Sequence, residues 1–332
     1  MTSRYRLFGT RRARLVALLC ATALIVAGAT ALVSVNRDQA EPPAAAASAS
    51  EPIIGIRTFD VPDNITVTTD VVYGTQPNGV PLRLDVCSTA AAGSTPSSPT
   101  LRPAVVSIHG GSWTRGDKSS DDWRTVCQWL ASEGFVAFSV DYALTPAAPF
   151  PAGIDDIASA VEWIRTPDNA ARFGIDPDRI GAFGGSAGAN LAALLGTRGS
   201  GALTEGSRVA AVAELSGPSD LRAASVTADG ITPRLQKLML RYLHCDTLAD
   251  CPQAASASPV ATVDASDPPF FIGNSSKEFV PLKQATRFAA ALEAAGIRHE
   301  LVTVPGGVHS IGLLDAGMRT QVAAFLHDTL GN

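Results

Sequence analysis

From Ile65 onward the chain alternates short apolar runs with longer stretches in which apolar residues recur at helical spacing. The runs predict strands over Ile65–Tyr73, Leu82–Cys87, Ala104–Ile108, Val136–Val140, Arg179–Phe183, Val209–Leu215, Phe270–Gly273 and His299–Val304. Helical spacing marks Ile154–Ile164, Arg234–Leu243, Pro281–Ala295 and the stretch opening at Ala187 and running through Leu191, Leu194 and Leu195. Mixed strands come first and strand–helix alternation follows. That order predicts an α/β domain with a mostly parallel sheet, helices on both faces, and ligands at the carboxyl ends of the strands. The long segment between Leu215 and Phe270 predicts a small insertion, about residues 218–262, after the sixth strand.

The amino terminus follows a different pattern. Arg4, Arg6, Arg11, Arg12 and Arg14 precede an unbroken apolar run from Leu15 to Val35, and an Ala/Pro/Ser-rich segment comes next. This predicts a signal peptide or uncleaved signal anchor over residues 1–35, a linker over 36–52 and a catalytic domain over 53–332. The domain is then expected outside the cytoplasm, secreted or anchored to the outer side of the cytoplasmic membrane. Any membrane contact would come through the amino-terminal segment alone.

Gly184-Gly185-Ser186-Ala187-Gly188 places a serine in a glycine frame between a predicted strand and a predicted helix. A turn this tight needs small residues around the serine and exposes its hydroxyl at the strand's carboxyl end, the arrangement of a nucleophile elbow. Glycine and serine also populate ordinary turns, so partners must decide. Upstream, His109-Gly110-Gly111-Ser112-Trp113 follows the run Ala104–Ile108. Backbone without side chains can bring N–H groups close to a developing oxyanion, which makes Gly110 and Gly111 candidates for an oxyanion hole, with Ala187 as the second donor. Ser112 and Trp113 are candidate pocket residues. A phosphate-cradling loop would call for a Gly-Lys-Ser/Thr ending, which this loop lacks.

Five histidines occur in 332 residues. His109 belongs to the glycine loop, His244 lies in the insertion, His299 begins a strand and His327 falls in the last helical pattern. His309 follows the strand His299–Val304 through Pro305-Gly306-Gly307-Val308, where a chain order of serine, acid, histidine requires the base. The acid belongs after the penultimate strand. Glu278 is the first carboxylate beyond Phe270–Gly273, with Asp267 as the alternative.

Together these segments resemble the α/β-hydrolases of the hormone-sensitive-lipase-like esterase group, over roughly Val71 to Leu330. Further segments carry the likeness: Ser139-Val140-Asp141-Tyr142-Ala143-Leu144-Thr145-Pro146, Phe150-Pro151-Ala152 with Asp155 and Asp156, and Ile175-Asp176-Pro177-Asp178-Arg179-Ile180. The resemblance implies an α/β-hydrolase fold and two-step hydrolysis of carboxylic esters, with small acyl or acetyl esters as the default substrates. It also marks departures. Ser112 replaces a third loop glycine, Lys277 occupies the family's usual aspartate position with Glu278 one residue later, and Ala143 stands where an arginine is usual. An amidase or peptidase with the same triad is the nearest alternative. A noncatalytic cell-envelope binding protein is the next, because fold alone does not dictate chemistry.

The net charge of −5 and the lack of basic clusters beyond the amino terminus argue against nucleic acid as a partner and leave a small-molecule ester as the expected one. The implied chemistry needs no cofactor, and no metal-ligand spacing is evident. Cys87, Cys127, Cys245 and Cys251 follow the export segment. In an oxidising compartment an even count favours disulfides, and the pairs expected are Cys87–Cys127 and Cys245–Cys251. Oligomeric state is left open.

Overall fold

The computed structural model describes residues 58–89 and 101–331. The predicted signal segment and linker lie outside the described residues. Among the described residues, no helix is long and apolar enough to cross a membrane.

Among the described residues, eight strands form one sheet in the order β1-β2-β4-β3-β5-β6-β7-β8. They are β1 (Ile65–Thr75), β2 (Pro81–Thr89), β3 (Arg102–Ile108), β4 (Val136–Val140), β5 (Ile175–Gly185), β6 (Ala211–Leu215), β7 (Phe270–Ser275) and β8 (His299–Val304). Only β2 runs against its neighbours. The pairings from β4 to β8 are all parallel. All eight predicted strands are present. β5 begins earlier than its apolar run, because Ile175 pairs with Arg102 before a register shift brings Ile180 opposite Ala104.

The helices in chain order are α1 (Asp121–Ser132), α2 (Ala152–Arg165), α3 (Pro167–Phe173), α4 (Ala187–Thr197), α5 (Ala223–Asp229), α6 (Pro233–Leu243), α7 (Gln253–Ser256), α8 (Pro259–Thr262), α9 (Leu282–Ala294) and α10 (Ala316–Leu330). Side chains alternate along each strand, so the sheet feeds two cores. One contains Val106, Ile108, Ala182 and Ile272 with Ile154, Leu191 and Phe288 from α2, α4 and α9. The other contains Val105, Phe183 and Phe271 with Val126, Leu130 and Phe325 from α1 and α10. Helices on both faces explain why the central strands read as continuous apolar runs rather than as alternation. Every residue of α4 is buried, as expected of a helix that is apolar around its whole circumference.

The insertion after β6 comprises α5 to α8. It is tied to α9 by Gln284, whose Oε1 accepts the N–H groups of Ser219 at 2.9 Å and Asp220 at 2.8 Å, while its Nε2 donates to Asp229 at 2.7 Å. Disulfides join Cys87 in β2 to Cys127 in α1, and Cys245 to Cys251 within the insertion.

Candidate active site

Ser186 stands between β5 and α4 with φ 56° and ψ −118°. A non-glycine residue in that conformation is strained, and the surroundings hold it there. Its N–H donates to the Leu215 carbonyl of β6 at 2.8 Å. Gly188 packs against β3 so closely that a Cβ there would run into the Ile108 carbonyl. The glycine frame thus lets α4 start directly over the sheet and lifts the serine hydroxyl above the strand ends. Ala187 opens α4, so its N–H belongs to the first turn, which has no intrahelical acceptor.

The loop after β3 lies beside this elbow. A Cβ on Gly110 would come within 2.8 Å of the Gly185 carbonyl and 3.5 Å of the Ser186 Cβ, so Gly110 backbone abuts the serine. Gly111 has φ 121°, outside the range most side chains tolerate. His109 fastens the loop from below. It is 1% exposed, stacks on Tyr142 with ring centroids 4.3 Å apart, and its Nδ1 donates to the Gly110 carbonyl at 2.8 Å. Tyr142 in turn donates to the His109 carbonyl at 2.8 Å. Burial pushes the His109 imidazole down to about 4, so the ring is neutral near pH 7.

His309 arrives from the loop after β8 and bridges the two remaining candidates. Its Nε2 lies 2.8 Å from Ser186 Oγ, and its Nδ1 is hydrogen-bonded to Glu278 Oε2. Both the imidazole and the carboxylate are buried, at 1% and 0% side-chain exposure. The other carboxylate oxygen of Glu278 accepts the Ser275 N–H at 2.8 Å and the Ser216 hydroxyl at 2.9 Å. Phe279 meets the His309 ring edge-to-face at 5.7 Å, and the Arg234 guanidinium of α6 lies 5.6 Å from the Phe279 ring. The insertion therefore reaches the residues around the histidine.

Asp267, the alternative acid, lies at the far end of β7, where it pairs with the buried Arg208 at 3.4 Å. Lys277 projects outward, and its N–H donates to the Gly306 carbonyl at 2.8 Å. Trp113 does not line the cavity at the serine. It is 2% exposed, stacked on Tyr242 at 4.4 Å, and its Nε1 donates to Asn190 at 3.3 Å. Ser112 is half-buried with φ 57°, and it too stays out of the cavity wall. The cavity, about 550 Å³, is bounded by Gly110, Gly111, Arg115, Trp123, Ser186 and Ile311, among others. The positive φ at Ser112 and Trp113 turns the chain inward after the glycines, which carries the tryptophan into the core and leaves Trp123 of α1 as the aromatic wall.

Sequence reading did not find Ser216, Ser275 or Trp123. Ser216 carried a faint signal, a Ser-Gly pair ending the strand next to the elbow. Nothing in the local pattern distinguished Trp123 from Trp113.

A relay of serine, imidazole and carboxylate at the mouth of a cavity, on the carboxyl edge of a parallel sheet, coincides with a match of the BD-FAE family model to residues 94–292. The chain belongs to the BD-FAE family. It is an α/β-hydrolase of the hormone-sensitive-lipase-like group, as the sequence resemblance implied. Esterase LipQ of Mycobacterium tuberculosis is 31% identical over 237 residues, which cover 69% of this chain and 55% of LipQ. The chain thus spans little more than half the length of that relative. A truncated form of a carbohydrate esterase from gut microbiota superposes with a TM-score of 0.65 over 80% of this chain and 97% of its own, at 24% identity, and shares the fold. A propionate-bound thermophilic esterase from the Planctomycetes species Thermogutta terrifontis is 27% identical, with a TM-score of 0.59 over 80% of this chain and 93% of its own. The membership gives the BD-FAE chain its fold; its chemistry rests on the geometry above.

Proposed function

We propose that this protein hydrolyses carboxylic esters through an acyl-enzyme on Ser186. The observation that carries the reading is the buried chain of hydrogen bonds from Ser186 Oγ to His309 Nε2 at 2.8 Å and on from His309 Nδ1 to Glu278. His309 takes the serine proton as Oγ bonds to the ester carbonyl carbon. Charge developing on the carbonyl oxygen is stabilised by N–H groups of Gly110, Gly111 and Ala187. The carbon–oxygen ester bond then breaks, and the alcohol leaves with the proton from His309. Water attacks the acyl carbonyl, giving its proton to His309. Collapse frees the acid and returns the proton to Ser186. Glu278 holds the imidazole in the productive tautomer and offsets its positive charge when protonated.

The acyl group proposed is a short one. Trp123 and Ile311, 5% and 1% exposed, wall the cavity beside the serine, and the Thermogutta terrifontis esterase holds propionate. Two disulfides suit an oxidising compartment, in keeping with export through residues 1–35.

The test is hydrolysis of p-nitrophenyl esters from acetyl to palmitoyl by the purified protein and by Ser186→Ala. Turnover peaking at the short chains and falling by roughly a millionfold in the variant is expected. Preference for anilides over esters would make the protein an amidase. Folded protein without turnover on either would make it a binding protein.

A further inference from the structure

Glu214 is a buried carboxyl group that the reaction above does not use. It lies on β6, 1% exposed, two residues before Ser216. Val212 faces the core formed with α2, α4 and α9, while Ala213 and Leu215 face the opposite core. By alternation Glu214 shares the face of Val212. Its Oε2 accepts the Gly217 N–H at 2.9 Å, which is the one hydrogen bond the carboxyl group makes among the described residues.

Asn274 on β7 has the complementary lack. It is fully buried, and its Nδ2 donates to the Ser275 carbonyl at 2.9 Å and the Val280 carbonyl at 3.3 Å. Those two carbonyls bracket Glu278. Among the described residues its Oδ1 has no donor. The strand register makes Asn274 and Glu214 neighbours. Glu214 pairs with Ile272 in the parallel β6–β7 ladder, and Asn274 follows two residues later on the same face, the diagonal position, towards which a long side chain can lean along the strand. A carboxylate cannot supply the missing donor, whereas a carboxylic acid can.

We propose that Glu214 is a positioning residue that acts as a neutral acid, donating its proton to Asn274 Oδ1 and so bracing the Glu278 loop against the Ser216–Gly217 corner. The role rests on the hydrolytic reading of Ser186, His309 and Glu278. Burial pushes the Glu214 carboxyl up to about 8, the Gly217 N–H opposes the shift, and the charge of Glu278 adds to it. Glu278 is the ionisable group that acts on it among the described residues. Gly184 on β5, Ala189 on α4 and Ile272 on β7 surround it without charge. Ionisation removes the donor and sets a second buried carboxylate near Glu278, so the brace fails above about pH 8.

Stability follows the same proton. The unfolded chain ionises this group near about 4.3, whereas the folded chain keeps it protonated to about 8. Between those values unfolding releases a proton, so the fold weakens as pH rises, and this contribution levels off above pH 8.

The experiment measures kcat and KM on a short acyl p-nitrophenyl ester, and thermal melting, across pH 5 to 10 for the full chain, Glu214→Gln and Glu214→Leu. The Gln amide accepts from Gly217 and donates to Asn274 without ionising. Wild-type kcat is expected to fall through about pH 8 and to level off near the activity of Glu214→Leu, about tenfold lower. Glu214→Gln is expected to match wild type at pH 7 within about twofold and to lack that limb, and Glu214→Leu to lose about tenfold or more below pH 8, with little change in KM, and to converge with wild type above it. An unchanged alkaline limb in Glu214→Gln overturns the positioning role. In melting, the advantage of Glu214→Gln over wild type is expected to widen from pH 5 to 8 and then hold constant. Parallel melting curves overturn the neutral-acid contact whatever the protein hydrolyses. Absence of ester turnover with the widening gap intact overturns the reaction and the positioning role that rests on it, but not the contact.

Discussion

The Ser216 hydroxyl donates to Glu278 Oε1 at 2.9 Å and accepts the Ser310 N–H at 2.8 Å. A single oxygen thereby links the loop carrying the acid to the residue that follows His309. Removing it leaves a buried N–H without its partner and loosens the angle between imidazole and carboxylate. Ser216→Ala is expected to cost about 1–3 kcal/mol of stability. It is also expected to lower kcat by about tenfold or more, because a small misplacement of a reacting group is amplified in rate. Urea denaturation and steady-state kinetics measure the two effects separately.

Glu278 and Asp267 are both buried carboxylates, but only Glu278 meets His309. Glu278→Gln retains shape and reverses the hydrogen-bonding preference at Nδ1, so kcat is expected to drop by about ten-thousandfold. Asp267→Asn is expected to lower the melting temperature through loss of charge beside Arg208, with kcat within about twofold of wild type. A large kcat loss in Asp267→Asn, with Glu278→Gln fully active, would exchange the two assignments.

Lys118 closes the loop that begins with Gly110. Its ammonium is 2.9 Å from Asp85, whose side chain is 2% exposed and also pairs with Arg124 at 2.7 Å. Its backbone N–H donates to Asp141 at 2.8 Å, and its carbonyl accepts from Ser139 at 3.0 Å. Lys118→Met takes one of two cationic partners from the buried Asp85 carboxylate and leaves Arg124, so it is expected to cost less than the roughly 3–5 kcal/mol of an uncompensated buried charge. Asp85→Asn in the same chain is expected to recover part of it. Chemical denaturation of the single and double variants tests the coupling.

The two disulfides close loops of very different length, with sequence separations of 40 and 6. Loop-closure entropy assigns about 4 kcal/mol to Cys87–Cys127 and about 2 kcal/mol to Cys245–Cys251. Replacing Cys87 and Cys127 together by alanine is therefore expected to lower the melting temperature more than replacing the second pair. Free-thiol titration of the denatured, unreduced protein should find none of the four cysteines reactive.

Much of this architecture is written in local pattern. Strand runs, elbow glycines and the helix behind Ser186 follow from spacing and backbone sterics, which act between residues close in sequence, and each of the eight strands overlaps a predicted apolar run. Chain order and loop position were enough to nominate Ser186 and His309. Other features depend on contacts between distant segments. Glu278 rather than Asp267 meets the histidine because the acid stands at the carboxyl end of β7 and the aspartate before its start. Trp123 rather than Trp113 walls the cavity because two positive φ angles turn the latter into the core. Ser216 and Glu214 gained their surroundings only when β6 took its register between β5 and β7. Local sterics constrain the backbone residue by residue, whereas the partner of a buried polar group is set by strand register and loop closure, and only the folded chain specifies those.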